Sequence, residues 1–212
     1  MLRAGVPLHD AFEASVRAVR SHVQHLIDVV DRALPGCPQL VFIDEPSLGE
    51  LMLPGFPIAP DTAIDLVSGA LAAIEPSAVA GLHVCADADI ATLLATGPTV
   101  LSVPALPSLL DAAGYLIRFL EDGGWVAWGA VPTGGPIVTT AERPWRQLSA
   151  LWCQLVERGA DPGMLRRQAI ITPACGLATH SVPVAERVHR LCAELGRRVG
   201  DQAVASRFML GA

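Results

Sequence analysis

His83 and Cys85 stand two residues apart in the run Gly81-Leu82-His83-Val84-Cys85-Ala86-Asp87, and Cys175 lies far downstream in Thr172-Pro173-Ala174-Cys175-Gly176. On a strand, residues i and i+2 share a face, so the imidazole of His83 and the thiol of Cys85 would project together. Two thiolates and one imidazole nitrogen are a zinc donor set, and three protein ligands leave the fourth position open for a substrate. If the three meet, the chemistry on offer is the activation of a thiol. Taken singly, each has a plainer reading: a cysteine that packs as a small apolar residue, a histidine hydrogen-bonded in core or surface. Gly176, next to Cys175, would allow a tight turn or a close backbone approach there.

Other polar residues are weaker candidates. Asp44 and Glu45 follow an apolar run and precede Pro46. Adjacent strand residues point to opposite faces, so at most one of the two enters a site directly. Asp44 is the candidate; its plainer reading is a strand-end cap or a pair with an arginine. Asp87 and Asp89 are placed to cap the helix that starts there, with a carboxylate reaching a metal as the lesser alternative. His22 and His25 sit beside the apolar stripe of a helix and read as solvated residues. Cys192 lies on a helix stripe and reads as core. Cys37 and Cys153 show no role, and His180 reads as a loop residue near Cys175.

Composition narrows the chemistry. All 15 basic residues are arginine, so lysine Schiff bases and a phosphate-binding loop with its lysine are excluded. The net charge is −6, with a pI near 5.4 and no basic run, which argues against nucleic acid and anionic membranes as partners. The first ten residues lack the apolar core of a signal peptide, and no apolar stretch of about 18 residues is free of charges and turn signals. Five scattered cysteines suit reduced thiols, and a cytoplasmic location is expected.

The elements that must position these residues alternate along the chain. Apolar spacing predicts a helix over 8–34, ended by Pro35-Gly36, then a strand from Gln39 towards Asp44. A Pro- and Gly-rich loop over 52–60 precedes a helix over 62–75, with Asp61 as its cap. Strand 78–85, helix 88–96, strand 99–103, helix 107–121 and strand 125–129 follow. The loop Val131–Pro136, a helix over 141–158, a strand over 169–172 and a helix over 182–199 complete the series, and 200–212 carries no clear signal. Helix 141–158 would bury Trp145, Leu148, Trp152, Leu155 and Val156. Five apolar strands alternating with helices predict a parallel sheet covered on both faces, in one domain spanning 1–212. Candidate residues fall at the C-terminal ends of several strands, and no Gly-x-Gly-x-x-Gly marks a switch point. Both favour a (β/α) barrel over an open doubly wound sheet.

Three segments together carry a resemblance. Phe42-Ile43-Asp44-Glu45-Pro46-Ser47-Leu48 resembles the "iDEPal" strand of cobalamin-independent methionine synthase. Leu82-His83-Val84-Cys85 resembles that family's His-x-Cys zinc strand. Ile171-Thr172-Pro173-Ala174-Cys175-Gly176-Leu177-Ala178-Thr179 resembles its "vNPDCGLKT" segment. Their order and rough spacing are similar too, across nearly the whole chain.

The resemblance implies a (β/α)8 barrel with zinc at its C-terminal face, held by His83, Cys85 and Cys175. It implies that Asp44 contacts the amino group of homocysteine and that the activity is methyl transfer to the thiol, from methyl-folate or a methyl-corrinoid. Two departures are visible. Pro104 or a neighbour stands where the family places a glutamate ligand, and Val131–Pro136 holds no histidine where the family offers one. The five strands correspond to the fourth to eighth of a barrel that usually needs about 250 residues. A longer product, a partner chain or a second copy would complete it. The alternatives are a degenerate, non-catalytic barrel fragment acting as a binding module, and a corrinoid-dependent methyltransferase for another thiol.

Overall fold

The computed structural model describes residues 5–209. Five strands form one all-parallel sheet: β1 (Leu40–Asp44), β2 (Val79–His83), β3 (Val100–Pro104), β4 (Trp125–Val131) and β5 (Ala169–Pro173). Their order in the sheet is their order in the chain, so no crossover skips a strand. The helices are α1 (Leu8–Ala33), α2 (Pro60–Leu71), α3 (Ile90–Ala95), α4 (Ala113–Glu121), α5 (Glu142–Glu157), α6 (Pro162–Arg167) and α7 (Val182–Met209). Among the described residues, no helix is long and apolar enough to cross a membrane.

Parallel crossovers are right-handed, and a strand order that never reverses puts every crossover helix on the same side of the sheet. The sheet is therefore covered by helices on one face, which corrects the expectation of two covered faces. Strand residues divide accordingly. Val41, Leu82, Val84, Leu101, Val103, Val126 and Trp128 belong to the main core, which α1 to α7 close from outside. Val100 and Ala127 are buried on the opposite face and are not part of that core. Leu40 and Trp125, on the same inner face, remain 39% and 40% exposed. In this register Asp44 lies beside His83, His83 beside Ser102, and Pro104 beside Gly129.

Several boundaries differ from those expected. The helix after β1 begins at Pro60, whose ring suits the first helical position. Asp61 falls in the first turn, and Ala59 is the cap residue. The stretch 107–121 is two elements: a 3-10 turn over Pro107–Leu110, then α4. A further 3-10 turn, Pro46–Glu50, follows β1. The short helix α6 went unforeseen; Asp161 caps it by accepting from Met164 N at 2.7 Å, with Pro162 next. Helix α7 runs on to Met209 through the stretch without signal, and 210–212 lie outside the described residues, as do 1–4 at the start. In α5, Leu151 takes the buried place expected of Val156, which is 38% exposed. Trp152 meets Trp128 edge to face at 5.7 Å, fixing α5 on β4.

Candidate functional site

The C-terminal ends of the strands gather the candidate residues on the inner face. His83 ends β2, and its ring Nδ1 lies 2.8 Å from the hydroxyl of Ser102, a buried residue of β3. When Nδ1–H donates to that hydroxyl, the lone pair is on Nε2, which is the nitrogen then able to bind a metal. Cys85 follows two residues later and is half-buried. Cys175 is exposed in the loop after β5 and is among the groups that act on the Cys85 thiol.

Cys85 follows the second strand of the sheet and Cys175 the fifth. Neighbouring strands lie about 4.8 Å apart, so in a flat sheet these two would be separated by roughly 14 Å. Two local features shape the chain as it leaves β5. The β4–β5 ladder shifts register between Gly129 and Val131, and Ala174 N donates to Val131 O at 2.9 Å. Gly129 lacks the Cβ that would stand 2.9 Å from Ala174 Cα and 3.0 Å from Pro104 Cα. The segment after β5 thus passes close over the end of β4 at Ala174. Gly176 has open space around it, so the close approach expected at that glycine belongs to Gly129.

The surroundings of the Cys85 thiol oppose its ionisation. The hydrogen bond with Cys175 raises the Cys85 thiol above the ordinary thiol range. Burial adds to this, as do negative charge at Cys175 and the carboxylate of Asp44. Asp44 is exposed, lies in register with His83, and takes part in none of the ion pairs among the described residues. The plainer reading, a pair with an arginine, therefore finds no support among the described residues. Glu45 turns away: its carboxylate accepts from Ser47 N at 3.1 Å, capping the 3-10 turn.

The remaining candidates serve the fold. Asp89 caps α3, accepting from Thr92 N at 2.9 Å. Asp87 is not a cap; it accepts from Ser108 at 2.8 Å and ties the β2–α3 loop to the turn after β3. His22 and His25 are exposed, as are Cys37 and Cys153. Cys192 is buried against the core, and burial pushes its thiol up to about 11. His180 is half-buried in the loop beyond Cys175.

Pro104 is buried at the end of β3 and offers no donor atom in its side chain. A groove of about 370 Å³ opens beside it, bordered by Leu106, Gly129, Gln147 and Ala174. A larger apolar groove of about 580 Å³ lies on the helix side, between α1, α2 and β1, away from the thiols.

The donors fit zinc in kind, since they are two thiols and an imidazole, and a divalent cation would relieve the negative charge that opposes ionisation of Cys85. Among the described residues, however, no three His, Cys, Asp or Glu side chains are gathered to hold an ion; His83 is engaged with Ser102. Sequence reading overlooked Ser102 and Gly129. Ser102 had a signal, its place two residues before Pro104 on the strand next to His83. Gly129 had none without the path of the β5 loop. Comparison with protein-family models gives no match for this chain, and comparison with curated proteins gives no similar sequence.

Proposed function

We propose that this chain is a zinc-dependent methyltransferase that activates a thiol, homocysteine in the first instance, on part of a (β/α)8 barrel resembling cobalamin-independent methionine synthase. What supports the reading most is that Cys175, which follows the fifth strand, acts on the thiol of Cys85, which follows the second; the resemblance requires this and nothing in the spacing of the two residues dictates it. The unreversed strand order also supports it, because a barrel adds its strands in chain order.

Cys85, Cys175 and His83 would hold the zinc, His83 through Nε2 while its Nδ1 keeps the bond to Ser102. Bound there, zinc supplies the Lewis acidity that makes a substrate thiol a thiolate near neutral pH. Asp44, free of an ion-pair partner, receives the substrate ammonium through a charge-assisted hydrogen bond. Ser102 fixes the orientation of the His83 ring. In the reaction a sulfur–carbon bond forms as the bond between methyl and its carrier breaks; methyl-folate and a methyl-corrinoid are both suitable carriers. The loop Val131–Pro136 brings no histidine to protonate a folate leaving group, which gives the corrinoid equal standing as the methyl carrier.

Pro104, in the place of a carboxylate ligand, favours a second reading: a barrel piece that has lost catalysis and acts as a binding module. One experiment separates the two. Purified protein is expected to carry about one equivalent of zinc, lost in Cys175→Ser, and to bind homocysteine through its sulfur. Metal-free protein after purification and zinc reconstitution would overturn the first reading. Zinc without thiol binding would favour the second.

A further inference from the structure

Helix α1 seats on the main core through Val23 and Ile27, with Val19 packed against it. Its first half does not: Phe12 and Val16 are half-buried yet stand outside that core. They border the groove of about 580 Å³ between α1, α2 and β1, whose other walls include Val19, Ile43, Leu66 and Ala70. Small-molecule sites commonly enclose about 300–1,000 Å³ behind apolar walls with a few polar groups among them. Gly69 of α2 helps to keep this groove open, because a Cβ added there would meet nothing within 4 Å. Two charged side chains border it, Arg20 and Glu45, and no ion pair among the described residues joins them. Glu45 is already engaged by Ser47 N at 3.1 Å. Arg20 is exposed and has no hydrogen bond or ion pair among the described residues.

We propose that this groove binds a free, unbranched fatty carboxylate, with its head group on Arg20 and its chain laid along Val16 and Phe12. Residues four apart share one face of a helix, so Arg20 continues the row begun by Phe12 and Val16. From Phe12 to Arg20 the helix rises about 12 Å. An extended chain of roughly nine or ten carbons covers that length, at bond lengths near 1.5 Å. The guanidinium donates to both oxygens of a carboxylate, and the charge on each partner strengthens those hydrogen bonds. The chain would cover apolar side chains that the core leaves without partners, which supplies the rest of the affinity. Charge selects the ligand's sign. The free cation at the groove attracts a carboxylate, and the nearby acid is held by a backbone amide and offers less to an ammonium. The groove lies on the helix side of the sheet, away from the thiols, so the proposal stands independently of the zinc reading.

The test titrates decanoate, kept below the concentration at which it forms micelles, into the full chain by calorimetry. Decanol and decylammonium are titrated at the same ionic strength. Decanoate is expected to bind saturably, with decanol about tenfold weaker for want of the charged head group, and decylammonium no stronger than decanol. In Arg20→Ala, decanoate is expected to fall to the level of decanol, and decanol to bind as before. Gly69→Leu puts a side chain into the groove and is expected to bind none of the three. Its melting temperature is expected to hold or rise, since leucine is the better helix former. Ala70→Leu fills the same groove from the next position and covers the case in which Gly69→Leu does not fold. Equal binding of decanoate and decanol by the unaltered chain, or preference for decylammonium, overturns the proposal. So does undiminished binding by both filled variants. Self-association that the filled variants abolish, with no amphiphile bound, would assign the groove to a second copy of the chain and overturn it too.

Discussion

Ser102 is a small residue with a large hold on the candidate site. It is buried, and its hydroxyl stands 2.8 Å from His83 Nδ1, so it sets which ring nitrogen faces outward. Partners of this kind typically govern metal affinity by about 10- to 100-fold. Ser102→Ala is expected to weaken zinc binding by that order, measured by competition with a chelator, while Ser102→Thr, which keeps the hydroxyl, restores most of it. Equal affinity in all three proteins would remove Ser102 from the site. The neighbouring residues show why a reading of single residues goes only part of the way. His83 and Cys85 were legible because strand alternation puts them on one face. That His83 would be held by Ser102 depends on the register of β2 against β3, which residue types alone do not specify.

At the scale of elements, the end of β4 does the positioning. The register shift between Gly129 and Val131 and the missing Cβ of Gly129 together let the chain after β5 pass over the end of β4. Gly129→Ala would put a methyl group into the backbone of Ala174 and Pro104, contacts that cannot yield by turning a side chain. We expect a loss of roughly 1–3 kcal/mol in stability, the usual cost of overpacking. We also expect faster alkylation of Cys85 as Cys175 is displaced, both measured on the metal-free protein. Unchanged thiol reactivity in a folded variant would show that the loop does not depend on this glycine. All five strands were legible from their apolar runs. The misplaced pieces were those where a proline or an acid governs a single turn. Pro60 opens α2 ahead of Asp61, and Asp161-Pro162 starts a six-residue helix too short to display periodicity.

For the whole molecule, helices on one side leave the inner face of the sheet with no helical cover, and β1 and β5 are unpaired edges. Leu40 and Trp125 are large apolar side chains about two-fifths exposed on that face. Open parallel edges and an exposed apolar face favour association. In sedimentation velocity the protein is expected to run above the 22.2 kDa of one chain, as a second copy or with a partner that supplies further strands. Trp125→Ser is expected to shift it towards the single chain. A monodisperse single chain at micromolar concentration would argue that the inner face needs no partner. Alternation of strands and helices gave the parallel sheet; which of its faces would be bare followed only from the strand order.

The strand order also has a kinetic meaning. Every ladder in the sheet joins strands that are neighbours in the chain, each separated by one crossover. Units of this type can pair as they emerge, with modest loop closure at each step. The proposed site shared by Cys85 and Cys175 is different in kind, because it waits for the third, fourth and fifth strands to be in place. During refolding the two thiols would therefore come together late, and the chemistry at the strand ends would begin only when the rest of the sheet was complete.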